Sequence, residues 1–226
     1  MTVQLPVLLT VRGTIAQPNL DAVRKIHNET AGSPEGIANA RGLGDLSHKV
    51  YEPIVGPQSQ AKAGEALFMD TWLDADGIMK FFGDERVAKT STMLFEAREP
   101  AIWVAAEGAF HYAQPAPMGK DGGYVGLVRG EVTDAAKAIA TFASGAVGSL
   151  SAARRRGLVS HSVYVKLAAP GDSAPTEVLG FERWFDRDGM AEHYTDDEAM
   201  RPLGGVFAGR PDATMWKQAD GHWSEW

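Results

Sequence analysis

The stretch Trp72-Leu73-Asp74-Ala75-Asp76-Gly77 decides the fold, because its pattern returns 112 residues later as Trp184-Phe185-Asp186-Arg187-Asp188-Gly189. The residues after each copy correspond at the same offset: Phe82 with Tyr194, Asp84 with Asp196, Phe95 with Phe207 and Arg98 with Arg210. Upstream, Val11-Arg12-Gly13 recurs as Val128-Arg129-Gly130, and Ser47-His48-Lys49-Val50-Tyr51 recurs as Ser160-His161-Ser162-Val163-Tyr164. The chain therefore uses one module of about 110 residues twice.

The repeat predicts two domains of ordinary size rather than one large domain. We expect a first module at 1–112, a linker at 113–123 and a second module at 124–226. The expected linker is rich in proline and glycine and has no hydrophobic period.

Composition limits the possible functions. The 226 residues are 44% hydrophobic and 23% charged, which is ordinary for a globular protein that can build a core in each half. The net charge of −7 disfavours nucleic acid or an anionic membrane as the main partner. Because cysteine is absent, disulfides, thiolate nucleophiles and cysteine-ligated metal sites are excluded.

The apolar run near the start of the sequence, at 6–11, is too short to cross a membrane. No basic residue precedes it, so it lacks the charged region of a signal peptide. We therefore expect a cytoplasmic protein without a membrane partner.

Hydrophobic patterning predicts the order strand, helix, two strands, helix, strand in the first module. The predicted strands are 7–15, 46–55, 66–74 and 100–110, and the predicted helices are 20–30, 77–82 and 84–96. In the second module we expect strands at 124–132, 159–167, 177–186 and 213–223, and helices at 135–142 and 189–207, with Pro202 kinking or shortening the latter. The glycine-rich segments 31–45 and 143–157 are predicted to be loops, and Asp76 and Asp84 are predicted helix caps.

This order is that of the ferredoxin-like unit, an antiparallel sheet with two helices on one face. Two such sheets packed face to face would cover the bare side of each. The strand order, the Ser-His-x-Val-Tyr strand, the Trp-x-Asp-x-Asp-Gly turn and the closing tryptophan strand resemble the dimeric α/β-barrel superfamily, and within it the antibiotic-biosynthesis-monooxygenase-like and stress-responsive barrel proteins. The resemblance implies an α+β fold, with tandem ferredoxin-like βαββαβ modules forming a single-chain pseudo-dimeric α/β barrel.

The resemblance also implies a pocket between sheet and helices in each half, and a chain that is a monomer as a pseudo-dimer or a homodimer. Members of the superfamily include cofactor-free oxygenases of aromatic polyketides, lactone isomerases, cyclases and haem enzymes. The fold alone does not choose among these activities.

If the sheet has the strand order 4-1-3-2 of the ferredoxin-like unit, the first and third strands are neighbours, and two arginine–carboxylate pairs are predicted. Arg12 would then lie near Asp70, and Arg129 near Glu182. The pairs are structural salt bridges or polar anchors for a substrate carbonyl or carboxylate. The period of two places Trp72 on the face of Asp70, and Trp184 on that of Glu182. Arg12, Trp72, Glu182 and Trp184 are thus candidate substrate-binding residues.

Histidines supply the candidate catalytic groups, because imidazole exchanges protons near neutral pH. His48 and His161 recur on equivalent strands, whereas His27-Asn28 on the first helix has no counterpart in the second copy. We predict that His27, His48 and Asp70 form the catalytic group, with Asn28 and His161 contacting substrate. The alternative interpretation is that the strand histidines are hydrogen-bonded scaffold residues.

No H-E-x-x-H or similar spacing indicates a metal, so no metal site and no organic cofactor are expected; haem or a metal stays an alternative, with His193 as a conceivable axial ligand. We predict a small cofactor-independent, monooxygenase-like enzyme that acts on a hydrophobic or aromatic carbonyl compound through histidine acid–base chemistry. The alternatives are an isomerase or lyase of the same fold, or a non-catalytic stress-response barrel that binds a small hydrophobic molecule. A serine hydrolase and a dinucleotide enzyme are excluded because their motifs are missing.

Overall fold

The computed structural model describes residues 5–115, 123–168 and 177–226. The chain divides into two compact units. The first unit combines Met1–Pro53, Lys62–Val104 and Gln218–Trp226, and the second combines Ile54–Ala61 and Ala105–Lys217. The predicted linker falls largely on 116–122, which lie outside the described residues, so the boundaries at 112 and 124 stay predictions.

The first unit has the ferredoxin-like order of strands and helices. Its elements are β1 (Val7–Ile15), α1 (Leu20–Glu29), α2 (Pro34–Gly42), β2 (Asp45–Pro53), β3 (Glu65–Trp72), α3 (Ala75–Phe82), α4 (Glu85–Leu94) and β4 (Phe95–Ala105). The strands pair antiparallel in the order β4-β1-β3-β2. This is the predicted order 4-1-3-2.

The second unit repeats this order and adds a two-residue strand at one edge. Its elements are β5 (Tyr112–Ala113), β6 (Tyr124–Glu131), α5 (Ala135–Arg155), β7 (Leu158–Lys166), β8 (Glu177–Trp184), α6 (Arg187–Thr195), α7 (Asp197–Met200), a 3₁₀ turn (Arg201–Gly205) and β9 (Asp212–Gln218). The antiparallel order is β9-β6-β8-β7-β5. The predicted α+β class with ferredoxin-like modules is confirmed.

The repeated hexapeptide forms the corner between a strand and a helix in each unit. Asp74 caps α3 by accepting the N–H of Gly77, and Asp186 caps α6 in the same way. A side chain on Gly77 would lie 2.1 Å from the carbonyl oxygen of Leu43, and one on Gly189 would lie 1.9 Å from that of Arg156. The glycine that ends each hexapeptide is therefore needed, because the backbone just after α2 or α5 lies against the first turn of the next helix in its unit.

The tryptophan that opens each hexapeptide is fully buried in the core of its own unit. Trp72 packs with Val11, Ile78 and other residues of the first core, and Trp184 packs with Leu158 and Met190 in the second. Each indole ring therefore holds its corner against the core, and the aspartate that follows caps the helix.

Several predicted elements differ from the structure. The predicted loop 31–45 contains α2, whose start is capped by Ser33 and carries Pro34 in its first turn. The predicted loop 143–157 is wrong as well, because α5 runs to Arg155. Its last turn holds Arg154 and Arg155, where the helix dipole favours cations. Both errors came from treating small residues as loop formers.

The helix caps and the long second-copy helix give a mixed outcome. Asp84 caps α4 as predicted, whereas Asp76 lies inside the first turn of α3, whose cap is Asp74. The predicted helix 189–207 ends at Thr195, and Pro202 lies in the 3₁₀ turn, so the predicted shortening is confirmed.

Candidate functional site

The first unit contains a cleft of about 540 Å³, counted to its open mouth, lined by residues of β1–β3, α1, α3 and α4. Its walls are mostly apolar and aromatic, including Val11, Phe68, Phe81, Phe82, Leu94 and Phe95. Four ionisable side chains also line it: His27, Asp45, His48 and Asp70. An apolar cavity with a few convergent polar groups is the usual form of a small-molecule site.

The three predicted catalytic residues are in contact with one another. The β2–β3 register sets His48 opposite Asp70, and His48 Nδ1 lies 2.5 Å from Asp70 Oδ1. His27 reaches the same imidazole from α1, with 3.0 Å between the two Nε2 atoms. All three residues are buried, with His27 completely enclosed. The structure thus brings together a continuous chain of proton-sharing groups.

Asn28 does not face the cavity but holds the C-terminal segment against α1. Its amide nitrogen donates to the carbonyl of His222 at 2.8 Å, and its Oδ1 accepts the N–H of Ser224 at 2.9 Å. The same Oδ1 lies 3.0 Å from His27 Nδ1. Asn28 was predicted to contact substrate; the structure places it behind His27 instead.

Asn28 fixes the position of the proton on His27. Since its Oδ1 can only accept, His27 Nδ1 must carry a proton and donate. Burial, and then the neighbouring His48 charge, lower the pKa of His27 to about 4, although the Asn28 hydrogen bond opposes the shift. His27 is therefore neutral at pH 7, and its Nε2 presents a lone pair to His48.

The lone pair of His27 determines what His48 and Asp70 share. His48 Nε2 must donate to His27 Nε2, so one further proton occupies the contact between His48 Nδ1 and Asp70 Oδ1. The pair is then either an imidazolium with a carboxylate or an imidazole with a carboxylic acid. The forms differ only in the place of one proton, which can move along a bond of 2.5 Å.

Asp45 is a fourth member of the site and was missed by sequence reasoning. It lies at the start of β2 before a register shift, and its Oδ1 accepts the N–H of Ser47 at 3.2 Å. Burial, and then the charge of Asp70, raise the pKa of Asp45 to about 8. At pH 7 it is therefore protonated and has an O–H to donate.

A sequence signal for Asp45 existed in the alignment of the two copies. Asp45 pairs opposite Trp72, and the residue in the same register opposite Trp184 is Leu158. An acid that replaces a buried leucine between repeats is unusual, because burying a carboxyl group costs free energy without a partner.

The C-terminal segment completes the site with two tryptophans, which the sequence analysis did not select as site residues. Trp226 stacks on the His48 ring at 4.8 Å between centroids, and Trp223 lies 5.3 Å from the His27 ring. The backbone N–H of His48 also donates to the backbone carbonyl of Trp226 at 2.8 Å. Trp226 also lines the cavity.

The predicted arginine–carboxylate pairs are wrong. Arg12 binds Glu65, with 2.9 Å between Nη2 and Oε2, and Arg129 binds Asp212 at 3.1 Å. In the antiparallel register Asp70 is opposite Leu9, three residues from Arg12, and an odd separation along a strand changes the face.

The predicted Arg129–Glu182 pair is wrong for the same reason, since Glu182 is opposite Gly126, which is three residues from Arg129. The arginines thus form structural salt bridges on the other face of each sheet. The two carboxylates are left for the histidines.

The other predicted substrate-binding residues occupy different places. Trp72 and Trp184 are fully buried and are not among the residues that line the cavity of their own unit. In the second unit, His161 Nδ1 lies 3.0 Å from Glu182 Oε1, which reproduces the histidine–carboxylate pair of the first. The prediction placed both residues next to substrate, and both line a cavity of the second unit.

Solved structures similar to this chain share its fold over nearly its whole length. An anthrone oxidase-like protein matches with a TM-score of 0.59 at 14% identity, covering 95% of this chain and 92% of that one. A proposed monooxygenase from Fusobacterium nucleatum matches with a TM-score of 0.61 at 9% identity, covering 97% and 94%. A monooxygenase-like protein from Listeria innocua matches with a TM-score of 0.51 at 10% identity, covering 97% and 98%.

These identities show a common fold, that of the monooxygenase-like ferredoxin-fold proteins, and no particular activity. No protein-family model matches the sequence, and no curated protein is similar to it. Across 5–115, 123–168 and 177–226, no three His, Asp or Glu side chains are grouped to hold a metal ion. None of the described helices combines the length and the apolar character needed to span a membrane.

Proposed function

We propose that the chain is a cofactor-independent, monooxygenase-like enzyme that removes a proton from an acidic carbon of a hydrophobic or aromatic carbonyl compound, in the cleft of the first unit. The observation that carries this proposal is the buried proton-sharing chain of His27, His48 and Asp70, which opens on an otherwise apolar cavity. Ionisable groups buried together in a cleft commonly belong to a reaction site.

Binding and activation of the substrate would use the walls and Asp45. Aromatic side chains such as Phe68 and Phe95 suit a flat, apolar substrate. The protonated carboxyl of Asp45 donates a hydrogen bond to the substrate carbonyl oxygen. When the neighbouring carbon loses its proton this oxygen becomes an enolate, and a buried donor stabilises that negative charge more than it stabilises the ketone.

The proton acceptor would be Asp70. In the imidazolium–carboxylate form, Asp70 takes the proton from the substrate carbon while His48 keeps its positive charge next to the new carbanion. His27 stays neutral and prevents His48 from turning or losing its Nε2 proton. The acid and the base of the reaction are thus Asp45 and Asp70, whose different neighbours hold them in opposite protonation states.

Molecular oxygen would complete the reaction without a further reductant. The carbanion gives electrons to O₂, a carbon–oxygen bond forms, and loss of water leaves a carbonyl where the CH₂ group was. The balance is CH₂ plus O₂ giving C=O plus H₂O, in which the carbon loses four electrons and O₂ gains four. The proton held by Asp70 leaves in the water, so the site returns to its starting state.

The test uses anthrone, an aromatic ketone with an acidic CH₂ group, as the probe. Oxygen uptake is followed with an electrode, and the loss of deuterium from the CD₂ form is followed under argon. We expect both processes in the wild type, and a loss of roughly 10²-fold or more of both in Asp70→Asn, the size expected for removal of a general base. His111→Gln, which changes an exposed histidine, is the matched control.

The two readouts separate the alternatives. Deuterium exchange without oxygen uptake would indicate an isomerase or lyase of the same fold instead of a monooxygenase. If neither process exceeded the uncatalysed rate for anthrone or related ketones, the cleft would be a binding site for a small hydrophobic molecule.

A further inference from the structure

The second unit has a cavity of its own, of about 450 Å³ counted to its open mouth, lined by residues of β6, β7, β8, α5, α6, α7 and the 3₁₀ turn. Its walls include Phe142, Met200 and Leu203, and its polar side chains are Ser149, His161, Glu182, His193 and Tyr194. This cavity is separate from the cleft to which the activity is assigned above, and none of its residues takes part in that mechanism.

The protonation of its polar groups follows from their hydrogen bonds. Glu182 accepts the O–H of Tyr194 at 2.6 Å and lies 3.0 Å from His161 Nδ1. Burial would raise the pKa of Glu182, but the hydrogen bond from His161, the neighbouring His193 and the hydrogen bond from Tyr194 hold it below its usual value. Burial and the Glu182 charge raise the pKa of Tyr194 well above 10, so Tyr194 stays a neutral hydroxyl.

An ionised Glu182 can only accept, so His161 Nδ1 carries a proton, and in the neutral ring Nε2 then presents a lone pair. Within the described ranges, this Nε2 atom has no hydrogen-bond partner, and neither has Nδ1 of His193. Both histidines are only 5% exposed. A buried polar atom without a partner is unfavourable, and a bound ligand with a matching group would remove that cost.

The charges around the cavity define the class of ligand. None of the residues that line it is lysine or arginine, whereas Glu182 is a carboxylate. Burial lowers the pKa of His193, so this histidine is neutral at pH 7 and supplies no positive charge. An anionic ligand would therefore be repelled, while a neutral hydroxyl could donate to His161.

We propose that the second unit binds a neutral hydroxy compound with an aromatic or aliphatic body, whose hydroxyl donates a hydrogen bond to His161 Nε2. Glu182 orients the ring and strengthens the acceptor by accepting a hydrogen bond from His161 Nδ1. Gly126 makes room for this arrangement, because a side chain there would lie 2.0 Å from the Tyr194 hydroxyl. The ligand needs only a hydroxyl donor and an apolar body.

The test compares 2-naphthol with 2-methoxynaphthalene by calorimetry, since only the first can donate a hydrogen bond. Ala146→Trp fills the cavity of the second unit from α5, and Thr90→Trp fills the cleft of the first unit from α4 as the matched control. We expect 2-naphthol to bind Thr90→Trp with a Kd roughly tenfold lower than the methoxy compound. Ala146→Trp should lose this binding.

The proposal would be overturned if the two compounds bound Thr90→Trp with equal affinity. It would also be overturned if Ala146→Trp still bound 2-naphthol in the cavity of the second unit. If either variant does not fold, the wild type supplies the decision through its histidine ¹⁵N spectrum. Titration with 2-naphthol should shift the His161 Nε2 resonance, and an unchanged resonance at saturation counts against the site. These readouts need no turnover, so they stand or fall independently of the proposed oxygenase activity.

Discussion

The two units contain equivalent histidine–carboxylate pairs but differ in what faces the other ring nitrogen. In the first unit His48 Nε2 donates to His27 Nε2 at 3.0 Å, so this ring nitrogen is used within the protein. In the second unit, the described residues leave Nε2 of His161 without a partner. The pair is therefore shared by both copies of the module, and the groups around it decide its chemistry.

A few substitutions between the copies produce the difference. His27 is present only in the first copy. Asp45 in the first unit corresponds in register to Leu158 in the second, and Leu9 corresponds to Gly126. Phe82 corresponds to Tyr194, which donates to the carboxylate of the second pair. The residues that are not repeated thus carry the specialisation, whereas the repeated ones build the scaffold.

The largest expected effect comes from giving the first unit the residue of the second. Asp45→Leu removes the proposed donor to the enolate, and we expect a loss of about 10²–10³-fold in the rate of anthrone deprotonation. The melting temperature should stay equal or rise, because a buried carboxyl is replaced by an apolar side chain. Deuterium exchange and thermal unfolding measure the two effects. An unchanged exchange rate would remove Asp45 from the mechanism.

His27 should link stability to pH in the first unit. Its folded pKa of about 4 lies below the ordinary value of 6.5, so the unfolded chain takes up a proton first as the pH falls. The free energy of unfolding should therefore decrease by up to about 3 kcal/mol between pH 6.5 and pH 4. Denaturant titrations of the wild type and His27→Ala measure this contribution as a difference.

The variant should lose that pH dependence, and His222→Gln, which changes an exposed histidine, should keep it. Parallel stability curves for the wild type and His27→Ala would contradict the assignment of a neutral, buried His27.

The strand–helix corners formed by the two copies of the hexapeptide should respond alike to substitution, because the two units share this feature. Gly77→Ala and Gly189→Ala each place a methyl group against a backbone carbonyl, so each should destabilise the protein by about 1–3 kcal/mol. The matched control is Gly148→Ala in α5, where no atom lies within 4 Å and alanine should stabilise the helix by about 0.5–1 kcal/mol. Chemical denaturation measures all three. Very different losses at the two corners would contradict their equivalence.

The smallest effect is the pH dependence of the rate. Asp45 must be protonated to donate, and its pKa is about 8, so the rate of deuterium exchange should fall about tenfold for each pH unit above that value. Asp45→Asn keeps a donor that does not titrate, so its profile should lack this decrease. A decrease that persists in Asp45→Asn would belong to another group.

The sequence predicted the fold because the two copies check each other. The strand order followed from hydrophobic period and from the repeat, and the contact of His27, His48 and Asp70 followed from placing a strand and a helix across one pocket. Helices α2 and α5 were missed because their glycines and alanines resemble loop residues, while tertiary packing makes them helical.

The arginine pairing failed because it depends on register, which changes face with a shift of one residue. Trp226 was missed because Gln218–Trp226 belongs to the first unit, although the predicted second module, 124–226, includes this segment. Contacts of this kind, between residues distant in sequence, leave no pattern in the local sequence. Asp45, by contrast, could have been found by asking which buried positions change class between the copies.

Histidine ¹⁵N NMR at neutral pH tests the central claim most directly, namely that Nε2 of the strand histidine is a donor used within the protein in the first unit and an open acceptor in the second. We predict a neutral His27 protonated on Nδ1, a His48 protonated on Nε2 with a further proton shared towards Asp70, and a His161 protonated on Nδ1 with a bare Nε2. A His48 with a bare Nε2, bonded to a His27 that is protonated on Nε2, would make the two pairs alike. That result would contradict the account.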